Sequence, residues 1–445
     1  MQTENIKFRE KLGYGVGDLA GSFIWAASGM FLTFFYTDVV GISAAVVGTL
    51  LLVARIFDAF VDIGVGALVD KTNSKYGKAR PWLLWFAIPY GIAGVLLFSA
   101  PDLGPTGSLI YAYATYLLVN VMYSAVNIPY GTLNSLITQN AYQRSLLNIF
   151  RMVSALTGTL IVMTMTMPLV QTFGGGKGGW FGTFALFGTL AAFLFLITFR
   201  STKERVKPSV VQKNVPFKKS IKGLFRNKYW LLMVIIMLVF NISSSVGTAV
   251  TIYYAQYILQ NKDLVGLLGA VSIFPLFIGL LFIAPIIKRF GKRNASIGGL
   301  IIVLLGSIFM LINPENLTVI IISLIVKAIG SVPMVSSLFA MLADTIEYGE
   351  WKTGMRNEGL VYSAGSFGSK TGSGIGAALV GWLLALGGYL GGQDTISGNA
   401  SNMIEFLYIY MPIILNAILL LLLIPYKLDE EYPQIIEDLS AARNI

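Results

Sequence analysis

Long apolar runs separated by short polar stretches set the layout of this chain. Hydropathy and helix breakers predict twelve spans. Six lie at roughly 13–37, 41–69, 81–101, 107–136, 146–171 and 179–199. Six more lie at roughly 229–259, 264–287, 295–313, 316–342, 359–387 and 403–425. At about 1.5 Å per residue, runs of this length cross a hydrocarbon core of about 30 Å. The predicted class is an all-α membrane protein in two six-helix halves, 1–199 and 229–425. A linker at 200–228 joins the halves, and a tail follows at 426–445. The linker is polar and carries ten Lys/Arg against one Glu.

Composition agrees with the pattern. The 445 residues are 55% hydrophobic and only 12% charged, and mean hydropathy is +0.72, whereas soluble domains carry about 25% charged residues. Cysteine and histidine are both absent. That excludes disulfides, thiol nucleophiles, Cys/His zinc sites and histidine proton relays. The start, MQTENIKFREK, is polar and the first apolar segment is long, so no cleavable signal peptide is expected.

The net charge of +10 is distributed by side. With alternate loops on alternate sides, 26 of the 32 basic residues fall on one side. Two, Lys177 and Lys262, fall on the other, and four lie within spans. The positive-inside rule then makes both termini and the linker cytoplasmic. The basic excess is topogenic and lipid-facing, so no nucleic-acid partner is expected. A turn also recurs: KYGKAR follows span two and RFGKRN follows span eight, 214 residues later. This repeat at equivalent places indicates duplication of a six-span unit. Two parallel six-helix halves are the architecture of major facilitator transporters, with a central cavity.

Candidate chemistry lies inside the spans. VARIFDAFVD places Arg55, Asp58 and Asp62 within an apolar run, where each ionised side chain costs roughly 2.5–3.5 kcal/mol on insertion scales. Asp58 and Asp62 are four residues apart, so they share a helical face, and Arg55 lies on nearly the same face. Two carboxylates so placed titrate as a coupled unit and can hold a cation; the alternative is a structural salt-bridge network. Without histidine, carboxylates are the available proton carriers. Asp58 and Asp62 are metal ligands only if the coupling ion is Na+. Arg55 reads as a charge partner of Asp58.

Four further charges lie at depth. Asp18 follows the glycines of GYGVGD in span one, as a site residue or an interfacial helix-end carboxylate. Arg151 enters span five, as a site residue or a snorkelling one. Lys370, in SFGSKTGSGIG, sits among small residues that let helices approach and is expected to pair with a carboxylate. Lys327, in IVKAIGSVP, reads equally as structural pairing or cavity lining. Span four presents Tyr123, Ser124, Asn127, Pro129 and Tyr130 in an otherwise apolar helix, and span one adds Trp25 and Tyr36. Aromatic faces beside carboxylate, amide and guanidinium groups suit sugars; an interfacial aromatic belt is the alternative.

GYGVGD, FFYTDVVGIS, VGTLLLVARIFDAFVD, KYGKARPW, NIPYGTL, DTIEYGEWKTGMRNEG and YSAGSFGSKTG together resemble the glycoside–pentoside–hexuronide:cation symporters. The match runs in order over 10–375. The resemblance implies a major facilitator fold that moves sugars by cation-coupled alternating access. It assigns Asp58 and Asp62 to the cation, with the Ser124 hydroxyl beside them, Arg151 to the sugar, and Lys370 to a place near the cation. The chain departs from the family's melibiose carriers at two sugar-binding aspartates, which align with Ser22 and Asn127. Their stacking tryptophan aligns with Gly131. Sodium-coupled members commonly have a side-chain oxygen before the second carboxylate, where this chain has Val61; that favours H+ over Na+.

The expected function is a secondary symporter importing a glycoside, pentoside or short oligosaccharide with H+, less readily with Na+. Asp58, Asp62 and Ser124 would bind the cation, and Asp18, Trp25, Asn127 and Arg151 the sugar. Lys370, Arg55 and Lys327 would act as charge partners. A hexuronide symporter is the alternative, and a lysolipid symporter a more distant one. A membrane-embedded enzyme ranks lower, because nothing resembles a nucleophile with its base. No cofactor beyond the coupling cation is expected, and the partners are the sugar and the bilayer, with the protein acting as a monomer.

Overall fold

The computed structural model describes residues 6–138, 140–206, 224–354, 358–393 and 395–443. The first six helices are α1 (Phe8–Phe34), α2 (Ala44–Lys71), α3 (Arg80–Leu97), α4 (Gly104–Ile137), α5 (Ala141–Thr172) and α6 (Gly176–Ser201). Then follow α7 (Lys228–Tyr253), α8 (Leu264–Phe290), α9 (Lys292–Met310), α10 (Leu317–Thr353) and α11 (Glu358–Leu386). The last span, α12, runs from Gly398 through a π-helical turn at Phe406–Tyr410 to Leu423, and α13 (Leu428–Arg443) closes the chain. π turns also end α1 at Phe35–Val40 and α7 at Tyr254–Ile258. Over the described residues, eleven helices are long and apolar enough to cross a membrane. α11, at 29 residues, has the length of a twelfth.

Span boundaries moved where capping outweighed hydropathy. Asn140 accepts the Gln143 N–H and starts α5 ahead of the apolar run. α10 extends past residue 342 to Thr353 and stops at Gly354, whose φ of +66° is a left-handed cap. Hydropathy marks what lies in the bilayer, not where a helix ends. The tail is likewise helical in α13, which buries Leu428 and Ile435 in a cluster with Tyr229, Met341 and Tyr426.

The chain forms two compact units. The first holds α1–α6 with Ala255–Gly269 and Gly381–Ala400; the second holds Val211–Tyr254, Ala270–Val380 and Ser401–Ile445. In the first, α1 packs on α5 and α6, α3 on α4 and α6, and α2 on α4. The glycines of GYGVGD make the α1 contacts possible. A Cβ on Gly15 would lie 2.8 Å from the Phe150 carbonyl oxygen, and one on Gly17 would lie 2.5 Å from the Tyr130 ring. Across the same helix pair, a Cβ on Gly158 would meet Ser22 Cβ at 2.7 Å. Backbone approach at these points brings Asp18 and Arg151 to one level.

The repeated basic turns have matching roles. After α2, Gly77 takes φ +104°, and the Glu204 carboxylate accepts the N–H groups of Lys78, Ala79 and Arg80, each at 2.8 Å. Arg80 donates to the Phe199 carbonyl near the end of α6. In the second unit, the Asp429 carboxylate accepts the Arg293 N–H at 2.8 Å, and Arg293 donates to the Leu423 carbonyl at the end of α12. Each turn thus opens a helix capped by a carboxylate just past that unit's last span. The two turns thus share one capping pattern.

Candidate functional site

The candidate residues of the first unit fall into three groups on α1, α2, α4 and α5. The first is the carboxylate pair. Asp58 is fully buried and Asp62 half-buried on α2. Ser124 Oγ, one position on the facing α4, lies 2.6 Å from Asp62 Oδ1 and 3.1 Å from Asp58 Oδ1. A hydroxyl has one hydrogen to share between the two carboxylates. Val61 packs against an apolar cluster of Val65, Val69, Trp82 and Ala125 and brings no oxygen to the pair.

The second group is the Asp18–Arg151 ion pair. Arg151 Nε donates to Asp18 Oδ2 at 2.7 Å and Nη2 to Oδ1 at 3.3 Å, with both side chains about three-quarters buried. The guanidinium lies 4.6 Å from the Tyr130 ring centroid and 5.9 Å from that of Tyr14. Tyr14 and Tyr130 are stacked, and each hydroxyl donates to the other's backbone carbonyl. This aromatic seat and the Asp18 carboxylate together hold the Arg151 guanidinium inside the unit.

The third group is an aromatic platform. Trp25 stacks on Tyr123 at 4.2 Å and 13°, and the Arg55 guanidinium covers the indole at 4.2 Å from its centroid. Arg55 Nη1 is buried with no hydrogen-bond partner among the described residues. Asn127 lies one turn past Ser124, half-buried, and its amide makes no hydrogen bond among the described residues. Tyr36, by contrast, is buried and donates to the Ala112 carbonyl, a structural contact. Ser22 donates to the Asp18 and Ala155 carbonyls and so serves the α1–α5 contact. A Cβ built on Gly131 meets nothing within 4 Å among the described residues, so this position is open on that side.

The second unit holds the two lysines. Lys370 sits on α11 in a stretch that packs tightly on α7. A Cβ on Gly368 would lie 3.2 Å from the Val234 carbonyl oxygen, and Asn241 donates to Ser369 Oγ. The Lys327 ammonium lies 6.0 Å from the Tyr408 ring centroid, and its stem runs beside Gly306. Among the described residues it forms no ion pair.

One cluster escaped the sequence reading. Asp38, in the π turn after α1, accepts from Tyr257 Oη at 2.6 Å, Tyr389 Oη at 2.7 Å and the Gly392 N–H at 3.2 Å. Thr37 Oγ1 adds a fourth bond at 2.6 Å. All five residues belong to the first unit. Three donors are more than 200 positions away, and no local signal announces them.

Membrane-length helices in duplicated six-span sets, with charges and aromatics gathered at bilayer depth, define a major facilitator transporter. The family profile described as MFS/sugar transport protein matches residues 13–430. The isoprimeverose transporter of Lactiplantibacillus pentosus is 37% identical over 443 residues, covering 98% of this chain and 92% of that protein. The glucuronide carrier protein homolog of Escherichia coli is 34% identical over 409 residues, covering 88% and 86%. A bacterial homologue of the human lysosomal transporter Spinster shares the fold at TM-score 0.68 and 15% identity, covering 96% of this chain and 97% of that one. The chain belongs to the MFS/sugar transport proteins and, among them, to the glycoside–pentoside–hexuronide:cation symporters.

Proposed function

We propose that this chain imports a neutral glycoside, pentoside or short oligosaccharide together with one proton, by alternating access across a bacterial inner membrane. The Ser124 bridge carries the reading. A proton on Asp58 completes a chain in which Asp58 donates to Ser124 Oγ and Ser124 donates to Asp62, with one hydrogen per bond. Sodium would need several more oxygens, and Val61 supplies none.

Sugar recognition falls to the neighbouring groups. The Asp18–Arg151 pair offers donors and acceptors for hydroxyls, Asn127 offers both, and the Trp25–Tyr123 stack offers an apolar face for a pyranose ring. Open space at Gly131 leaves room for a second sugar residue. Cation and sugar sites share α4, so occupancy of one biases the other, and the effect is reciprocal. The protein acts as a monomer, with both termini cytoplasmic.

The unpartnered Arg55 Nη1 favours a hexuronide as the second reading, since a guanidinium lacking an acceptor suits a carboxylate. Uptake into proteoliposomes of labelled xylosides, glucosides and glucuronides, each under an imposed ΔpH or Na+ gradient, separates these possibilities. Gradient-driven accumulation that survives Asp62→Asn would remove the cation assignment.

A further inference from the structure

A cavity of about 930 Å³ lies away from the carboxylates, at one end of the first unit, between the start of α1, the end of α4 and the end of α6. We propose that it binds the phosphate headgroup and proximal acyl chain of an anionic phospholipid from the cytoplasmic leaflet.

Charge comes first. Lys7, Arg9, Arg200, Lys203 and Arg205 line the cavity against one carboxylate, Glu10. That carboxylate is committed: Arg205 donates to Glu10 Oε1 at 2.7 Å and Oε2 at 2.8 Å, and the Lys203 N–H adds 3.1 Å. Lys7, Arg9, Arg200 and the Lys203 ammonium form no ion pair among the described residues. Four cations around one concavity repel one another, and an anion in their midst relieves that repulsion.

The wall distinguishes a lipid from a soluble anion. Leu12 and Val16 lie one and two turns beyond the basic start of α1, and Ile197 lies one turn before Arg200 on α6. The cavity therefore grades from basic at its mouth to apolar along the spans. Leu12 is 47% exposed there. The start of an odd-numbered span and the ends of even-numbered ones share a side, the same side that the Lys/Arg asymmetry makes cytoplasmic. Basic pockets between span ends on that side suit anionic headgroups, and the volume lies within the usual range for a bound ligand.

The test is native mass spectrometry and thermal unfolding of the full chain in detergent, titrated separately with phosphatidylglycerol, phosphatidylcholine and inorganic phosphate. Phosphatidylglycerol is expected to leave a retained one-lipid adduct and raise the melting temperature by a few degrees, while the other two do neither. Arg9→Gln with Arg200→Gln should weaken phosphatidylglycerol binding roughly thirtyfold, the loss of two cations beside a headgroup. Leu12→Trp, which fills the apolar wall and keeps every charge, should abolish the adduct. Lys75→Gln with Lys352→Gln, an equal charge change elsewhere on that side, should retain it. Equal protection by inorganic phosphate, or equal loss in the Lys75/Lys352 variant, would overturn the proposal.

Discussion

Ser124→Ala probes the coupling site through one atom. The substitution deletes a hydroxyl from a buried position on α4 and keeps a good helix former. In the proposed chain, the bond from Ser124 to Asp62 exists with or without the proton, so its loss cancels. The bond from Asp58 to Ser124 Oγ exists only with the proton, so its loss lowers proton affinity. A net hydrogen bond contributes about 0.5–1.5 kcal/mol, and full burial of Asp58 places this one near the upper end. Since about 1.4 kcal/mol is a factor of ten, proton affinity falls about tenfold. The sign follows directly: weaker binding needs more protons, so the pH midpoint of uptake moves about one unit toward acid. The assay is ΔpH-driven accumulation of a labelled glycoside in proteoliposomes as external pH is varied, with Ser124→Thr as the variant that retains the hydroxyl. A midpoint unmoved in Ser124→Ala refutes the proton chain. A shifted Na+ requirement in its place assigns the site to sodium.

Other substitutions have equally definite outcomes. Arg151→Lys removes the two-nitrogen grip on Asp18 and should raise the sugar KM about tenfold or more in initial-rate uptake. A Cβ at Gly131 meets no described residue within 4 Å, and Gly131→Trp should lose uptake of the larger glycosides first in a substrate panel. Asp38→Ala strips an acceptor from four donors; at about 0.5–1.5 kcal/mol each, it should lower stability by about 2–6 kcal/mol in thermal unfolding, with Asp38→Asn milder. Lys327→Met removes an ammonium at bilayer depth with no ion pair among the described residues, and should raise the melting temperature by a few degrees while keeping uptake. Loss of uptake in that variant would place Lys327 in the transport cycle.

The fold class was legible because the bilayer imposes it. A chain this apolar can satisfy its backbone in lipid only by closing its hydrogen bonds within helices, and twelve apolar runs then imply as many spans. Membrane charge asymmetry orients the chain, and a carboxylate pair four residues apart marks one helical face. Each of these follows from spacing along the sequence and needs no knowledge of what packs where. For the same reason the repeated KYGKAR and RFGKRN turns pointed to duplication before their capping carboxylates, Glu204 and Asp429, were visible.

Tertiary packing decided the partners. That Asp18 meets Arg151 rests on glycines facing the opposite backbone across α1 and α5. Arg55 covers Trp25, and Ser124 falls between two carboxylates, because helices far apart in sequence settle side by side. The Asp38 cluster, with donors from the end of α7 and from the segment after α11, has no local signature. Periodicity along one helix tells which residues share a face; which face meets which depends on close packing across the whole unit, where one glycine or one hydroxyl selects the neighbour.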